Sequence, residues 1–331
     1  MKFHTESISI SKLLWPVTFT ALLFLLGSCA GQSPTVTETV SPTTVITQKP
    51  AILVTGITGR QGGALARHLL ERGFQVRGLS RSLQKMKDVE ATEPRIEMMQ
   101  GDFNDPESLR RAMTGMYGVF LNTPVVPETI EMGQNAIDAA KASGVQYIVY
   151  STYLFSDPEL GRPDMVKAVV EEYLRDSGLG YTVLRPVTFM ENMNGKQEVM
   201  ATVGFRDPRN PTIKRQYISV DDIGLIAAEV FENPDEWNGR DQNIAGDELT
   251  NPELADMFSR LMGIPIKFEQ TTWKEWANDR PPGFVKQLGW HKRRSNFLVD
   301  LATLRKQFPN MITYEDYLIK TGWEDWNKTT E

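Results

Sequence analysis

Ala51-Ile52-Leu53-Val54-Thr55-Gly56-Ile57-Thr58-Gly59-Arg60-Gln61-Gly62-Gly63 is the stretch on which the fold is decided. The first five residues form a short apolar run rich in β-branched side chains, the pattern of a strand buried on both faces of a parallel sheet. Glycines follow at positions 56, 59 and 62. An amphipathic segment comes next, with Leu65, Leu69 and Leu70 on one face, and ends at Gly73. A second strand, Gln75 to Ser80, completes a strand, glycine-rich turn, helix, strand unit. In that setting one glycine makes the tight turn, one admits backbone to a pyrophosphate, and one lets helix and strand pack closely. The helix amino terminus then offers N–H groups and a partial positive charge to phosphates. The alternative is a structural turn without a ligand.

The second strand carries the choice of dinucleotide. An acidic residue near its end would bond the ribose 2′-hydroxyl of NAD. Here the strand ends in Ser80-Arg81-Ser82, with Lys85 and Lys87 beyond, and no carboxylate appears before Asp88. The planar fork of Arg81 suits a 2′-phosphate, so NADP(H) is expected over NAD(H). A solvated surface charge is the other reading of Arg81.

Outward from this unit the alternation continues. Arg95–Gln100, Tyr117–Asn122, Gln146–Ser151 and Tyr181–Pro186 read as strands, with helices over Pro106–Met113, Thr129–Ser143 and Asp164–Ser177. Strands separated by helices predict a doubly wound parallel sheet. Asp102, Phe103, Asn122, Thr123, Ser151 and Thr152 fall at carboxyl ends of strands, where such sheets bind ligands. In the helix after Pro163, Val166, Val169, Val170, Tyr173 and Leu174 form an apolar stripe, and Lys167 lies off it in the first turn. Asp221 and Asp222 read as caps of a helix over Ile223–Phe231, and Asn251 as the cap of a further helix with Pro252 at its first position. Aromatic residues Trp273, Trp276, Phe284, Trp290 and Phe297 form either a pocket lining or the core of a small lobe.

The first fifty residues stand apart. Lys2 and Lys12 precede an apolar run of about fourteen residues from Leu13 to Leu26, short of the roughly twenty needed to span a bilayer. Small residues and Cys29 follow. Leu26-Gly27-Ser28-Cys29 resembles the lipobox of bacterial lipoproteins, which implies cleavage at 28 and lipidation of Cys29, the only cysteine of the chain. An uncleaved signal anchor is the alternative. Residues 29 to 50, rich in Ser, Thr and Pro, read as a disordered tether. The expected location is a membrane anchor with the domain on the exported side, or alternatively on the cytoplasmic side. The 331 residues carry a net charge of −6 and no long basic run, so a nucleic-acid partner is not expected. The three histidines are scattered and no zinc spacing occurs, so no metal is expected.

Taken together, these stretches resemble the NmrA-like group of atypical short-chain dehydrogenase/reductases. The resemblance is carried by residues 54–63, Gly101-Asp102-Phe103, Tyr150-Ser151-Thr152, Lys167 with Glu171, Leu184–Asn192 and Tyr217–Ile223. It runs from about residue 50 to 320. It implies a Rossmann core over about 51–185 and a small C-terminal α/β substrate lobe mostly over 186–331. It implies cofactor contacts from Gly56, Thr58, Gly59, Arg60, Gln61, Gly62, Arg81, Asp102, Phe103, Asn122, Thr123, Ser151, Pro186 and Phe189. Lys167 matches the active-site lysine that binds the nicotinamide ribose. The superfamily's catalytic tyrosine, four residues before the lysine, is Pro163 here, and Tyr153 is the nearest replacement. The implied activity is an NADPH-dependent oxidoreductase acting on a small quinone- or carbonyl-like acceptor. The alternative is a non-catalytic NADP(H) sensor with a protein partner. A sugar-nucleotide epimerase is a third, weaker reading.

Overall fold

The computed structural model describes residues 49–154, 166–278 and 299–326. Residues 1–48, with the apolar run and Cys29, lie outside the described residues, as do Pro163, Phe284, Trp290, His291 and Phe297. Among the described residues no helix is long and apolar enough to cross a membrane.

A seven-stranded sheet forms the centre. In chain order its first unit is β1 (Ala51–Thr55), α1 (Arg60–Glu71), β2 (Gln75–Ser80), α2 (Leu83–Thr92) and β3 (Ile96–Gln100). The second is α3 (Pro106–Met113), β4 (Gly118–Leu121), α4 (Thr129–Ala142), β5 (Tyr147–Ser151), α5 (Val166–Asp176) and β6 (Gly180–Pro186). Beyond β6 come β7 (Thr188–Phe189), a 3-10 turn at Met190–Met193, α6 (Gln197–Val203), β8 (Phe205–Asp207), β9 (Arg215–Ile218), α7 (Val220–Glu232) and α8 (Pro234–Trp237). The chain continues with β10 (Arg240–Ile244), β11 (Asp247–Leu249), α9 (Asn251–Met262), β12 (Phe268–Gln270), α10 (Trp273–Asn278), α11 (Leu301–Gln307) and α12 (Tyr314–Lys320).

The main sheet runs β10-β6-β5-β4-β1-β2-β3, with every neighbouring pair parallel. The order reverses between β1 and β4, so their carboxyl ends flank a crevice. This is the Rossmann-type doubly wound fold that the alternation predicts. The central strands are fully buried: Ile52, Leu53, Val54, Phe120, Leu121 and Val149 have no exposed surface. Each such side chain contributes about 1.5–3 kcal/mol of hydrophobic stabilisation.

The Rossmann core draws on more of the chain than residues 51–185. β10 pairs with β6 as the seventh strand, and α7 packs on α1 over the sheet. A Cβ on Gly224 of α7 would lie 2.7 Å from the Ala64 carbonyl carbon, so the two helices touch backbone to backbone. The remaining C-terminal elements make a lobe with its own core of Leu254, Phe258, Met262, Tyr314, Leu318 and Trp323. Of the aromatic residues between 273 and 297, Trp276 is buried and forms an edge-to-face pair with Trp273, with the Arg209 guanidinium 5.9 Å from each ring centroid.

Three local expectations change. α7 is capped by Ser219, whose hydroxyl accepts the Asp221 N–H, so Asp221 and Asp222 lie inside the first turn. α9 is capped by Thr250 in a box with Glu253, one residue before Asn251. The buried face of α5 is Lys167, Val170, Glu171 and Leu174, whereas Val169 is exposed. The apolar stripe places this face nearly one residue out, because Lys167 and Glu171 are drawn inward by polar partners.

Candidate functional site: a dinucleotide cradle beside a buried lysine

β1 ends in Thr55, whose hydroxyl donates to the Phe120 carbonyl and accepts the Asn122 N–H, both at 2.9 Å. This bridge fixes the β4 carboxyl end against the first turn. Gly56 adopts φ +64°, a region that L side chains rarely occupy. Its carbonyl accepts the Gly59 N–H at 2.9 Å. A Cβ on Gly62 would sit 2.4 Å from that carbonyl oxygen, so only glycine lets the helix close onto the turn. Gly59 is the N-cap with no side-chain cap, and the first intrahelical bond is Gly63 N–H to Gly59 carbonyl. The amides of Arg60, Gln61 and Gly62 therefore have no intrahelical acceptor. They and the helix dipole make an anion cradle. The residues fit a dinucleotide pyrophosphate, as the glycine spacing predicts.

To one side of the cradle, Arg81, Gln100, Gly101, Asp102, Asp105, Ser108 and Arg111 line a cavity of about 320 Å³. The Arg81 guanidinium is 72% exposed and stands 3.8 Å from Asp102. Asp102 accepts the Asn104 N–H, and the Phe103 carbonyl accepts from Asn135. Arg111 carries a second cation to this cavity, and the sequence reading did not single it out. A larger cavity, about 530 Å³ among Ala51, Phe74, Gln75 and Arg77, lies at the amino ends of the strands, away from this chemistry.

To the other side lies Lys167. It is 3% exposed, not the solvated cation that its place in a first turn suggests. Its Nζ donates to the Ser151 carbonyl at 2.9 Å and approaches Asn122 Oδ1 at 3.4 Å. It lies 5.7 Å from the Tyr150 ring centroid and 5.9 Å from that of Tyr153. Burial lowers its pKa to about 7, and Glu171 opposes the shift. Ser151 donates to Gln61 Oε1 at 2.6 Å, which ties the β5 carboxyl end to the first turn of α1. Thr123 is buried, with its hydroxyl 3.1 Å from the Tyr150 hydroxyl. Burial pushes the Tyr150 phenol far above its usual range.

One helical turn on, Glu171 is buried in an ion network. Its carboxylate takes both Nε and Nη2 of Arg185, at 3.2 and 2.5 Å. Arg185 Nη2 also reaches Asp241 on β10 at 2.9 Å, and Arg175 bridges Asp241 and Glu171 at 2.5 and 3.1 Å. Two carboxylates and two guanidinia thus balance beside Lys167. Asp241 and Arg175 carry no sequence signal for this role, since both are ordinary surface residue types.

A family model described as the NmrA-like family matches residues 48–292. The chain belongs to the NmrA-like family. Its fold is the NAD(P)-binding Rossmann type of the atypical short-chain dehydrogenase/reductases. It is 27% identical over 228 residues to an NAD(P)H azoreductase of Xenophilus azovorans, covering 68% of this chain and 78% of the relative. It is 30% identical over 248 residues to an NmrA-like family domain-containing oxidoreductase of Aspergillus hancockii, covering 66% and 74%. Its fold is similar, with a TM-score of 0.72 and 24% identity, to an NADPH-dependent quinone oxidoreductase of Escherichia coli solved with NADPH, covering 82% and 99%.

Within this NmrA-like fold, Gly56, Gly59, Arg60, Gln61, Gly62, Asn122, Ser151 and Lys167 come together at the crevice between β1 and β4. Thr58 stands exposed in the same turn. Arg81 and Asp102 line the cavity on one flank. Pro186 ends β6, and Phe189, in β7, is partly buried against the main core. The Thr123 hydroxyl is buried against the Tyr150 hydroxyl.

Proposed function

We propose that this protein is an NADPH-dependent oxidoreductase that reduces a small quinone- or carbonyl-like acceptor. The observation that carries the reading is the buried Lys167 amine, held by Ser151 and Asn122 beside a helix terminus built for phosphates. Bound NADPH would supply the hydride. The α1 amides and Arg60 hold its phosphates, and Arg81 takes the 2′-phosphate through charge-assisted hydrogen bonds. Lys167 would hold the nicotinamide ribose and, as an ammonium, would donate to the carbonyl oxygen the proton that balances hydride addition at the carbonyl carbon. A group poised near neutrality suits that task. Because the charged form is the donor, turnover falls as pH rises through about 7. Tyr153, whose ring faces Lys167, is a second candidate donor. The names of the azoreductase and the quinone oxidoreductase support an electron-poor conjugated acceptor.

The sensor reading rests on one observation, Pro163 in the place of the superfamily's tyrosine. Steady-state NADPH oxidation with a panel of quinones, azo dyes and aldehydes separates the two. Sustained turnover supports the enzyme, whereas tight NADPH binding with no turnover on any acceptor supports the sensor. We further propose that a lipidated Cys29 anchors the domain to a membrane, with residues 30–50 as tether.

A further inference from the structure

Gln61 is the second residue of α1. Its N–H is one of the three amides at the cradle that have no intrahelical acceptor. Its side chain runs elsewhere and ends on another strand. Ser151 Oγ donates to Gln61 Oε1 at 2.6 Å, a bond between residues 90 positions apart.

The sheet order shows why a long side chain stands there. α1 follows β1, and Ser151 ends β5, with β4 between the two strands. Neighbouring strands lie about 4.8 Å apart, so β5 is two spacings, roughly 10 Å, from β1. Removing one methylene from the side chain withdraws its acceptor by about 1.3 Å, which takes a 2.6 Å contact beyond hydrogen-bond range.

Ser151 in turn holds the amine. Lys167 Nζ donates to the Ser151 carbonyl at 2.9 Å and approaches Asn122 Oδ1 at 3.4 Å. Both of these acceptors sit at the carboxyl ends of β5 and β4, and neither belongs to α5, which carries the lysine. Asn122 is itself tied to the turn after β1, since its N–H donates to Thr55 Oγ1 at 2.9 Å. Ser151 has no exposed surface and Lys167 is 3% exposed, so the end of β5 cannot shift without taking the anchor of the amine with it. The serine hydroxyl has one proton to give, and Gln61 takes it, which leaves proton donation at this place to Lys167.

We propose that Gln61 is a positioning residue for the reaction centre: its side chain, acting through Ser151, sets the place of the Lys167 amine, while its own N–H serves the phosphates. The proposal rests on the oxidoreductase reading above and names the residue that aligns the amine of that site with the cradle. One residue thereby joins the two halves of the crevice, the phosphate end on α1 and the proton-donating end on β5.

The test uses the full chain and two variants. Gln61→Asn keeps the amide and loses the reach. Gln61→Glu keeps the reach and an acceptor oxygen. Acetylation of Lys167 by N-hydroxysuccinimidyl acetate, at one mildly alkaline pH, is followed by peptide mass spectrometry against the exposed Lys85 and Lys87. A buried amine is reached only through local opening, so its rate reports how firmly it is held. The Asn variant is expected to label Lys167 about five-fold faster than wild type, the worth of one hydrogen bond. The Glu variant labels at the wild-type rate or more slowly. NADPH binds the Asn variant nearly as it binds wild type, because the N–H is kept, and binds the Glu variant more weakly, because a carboxylate then stands beside the phosphates. With an active acceptor, the Asn variant loses kcat by a similar factor with acceptor KM nearly unchanged, and the Glu variant retains kcat at saturating NADPH. Equal labelling of Lys167 in wild type and the Asn variant overturns the proposal. So does equal acceleration in both variants, and so does faster labelling that a lowered urea midpoint accounts for, which marks general loosening. Labelling needs no turnover, so failure with every acceptor defeats the oxidoreductase reading while the role of Gln61 is still decided.

Discussion

Replacing Lys167 with methionine makes the protein more stable in mildly acidic solution while abolishing its chemistry. Burial lowers Lys167 from 10.5 to about 7, a difference of about 3.5 units. At 1.36 kcal/mol per unit, charging the buried amine below pH 7 costs at most about 5 kcal/mol relative to the unfolded chain. Methionine has similar length and no charge to desolvate, so it recovers that cost. It also leaves the Ser151 carbonyl, now bonded at 2.9 Å, without its donor, a loss of about 1–3 kcal/mol. The net expectation at about pH 6 is a gain of about 2 kcal/mol, with a few kcal/mol as the ceiling. The sign changes with pH. Between about 7 and 10.5 the unfolded lysine holds a proton that the folded one has lost, so wild-type stability rises by about 1.4 kcal/mol per pH unit across that window. The methionine variant has no such term, and its advantage shrinks and inverts toward pH 10. Urea unfolding of both proteins from about pH 6 to about pH 10 measures the difference directly. A variant that is less stable at pH 6 by an amount independent of pH refutes the picture of a strained, buried ammonium.

Other expectations follow from the same geometry. Arg81→Ala weakens NADPH binding by about ten-fold, the size of one charge-assisted hydrogen bond at an exposed site, and leaves NADH nearly unchanged; calorimetric titration of both cofactors checks this. Glu171→Gln strands Arg185 and Arg175 with too little negative charge in a buried network and lowers stability by about 3–5 kcal/mol, read from urea midpoints. The same variant removes the charge that supports the Lys167 ammonium, so the pH at which turnover declines moves down. Cys29→Ser releases the domain from the membrane fraction if the cysteine is the lipid anchor, which fractionation of expressing cells reports.

Much of this architecture is legible from local pattern. β1 announces itself as an unbroken apolar run, and the turn that follows is legible because Gly56 has a positive φ and a Cβ on Gly62 would strike the Gly56 carbonyl. The succession of the first six strands along the chain, and that they make a parallel sheet, follows from alternation alone. What lies beyond reach is long-range pairing. Arg240–Ile244 carries Asp241, Gln242 and Asn243, and nothing in so polar a stretch shows that it becomes the edge strand beside β6. The burial of Lys167 is not legible from its helix pattern, which leaves it off the apolar stripe, because lysines are rarely buried unless paired and its partners are a carbonyl and an amide that sequence cannot bring near. The Arg185 to Asp241 bond spans 56 residues, and Asp222 reads as a helix cap because capping is the commonest use of aspartate at that position. The family resemblance supplied Lys167 and Glu171 as a pair; the structure adds why they stand together, with a guanidinium fork holding the carboxylate one turn from the amine.

The most direct test of the whole account is calorimetric titration of NADPH into the wild-type protein and into Gly59→Val. Gly59 has extended backbone that any residue adopts, at φ −102°, so the variant keeps its fold, although a Cβ there would sit 3.1 Å from the Gly56 carbonyl oxygen and push that carbonyl of the cradle turn aside. Saturable one-to-one binding to wild type, weakened by about a hundred-fold or more in the variant with unfolding stability changed by about 1 kcal/mol or less, is the predicted result. Equal affinity in both proteins, or no heat of binding to wild type at millimolar NADPH, contradicts it.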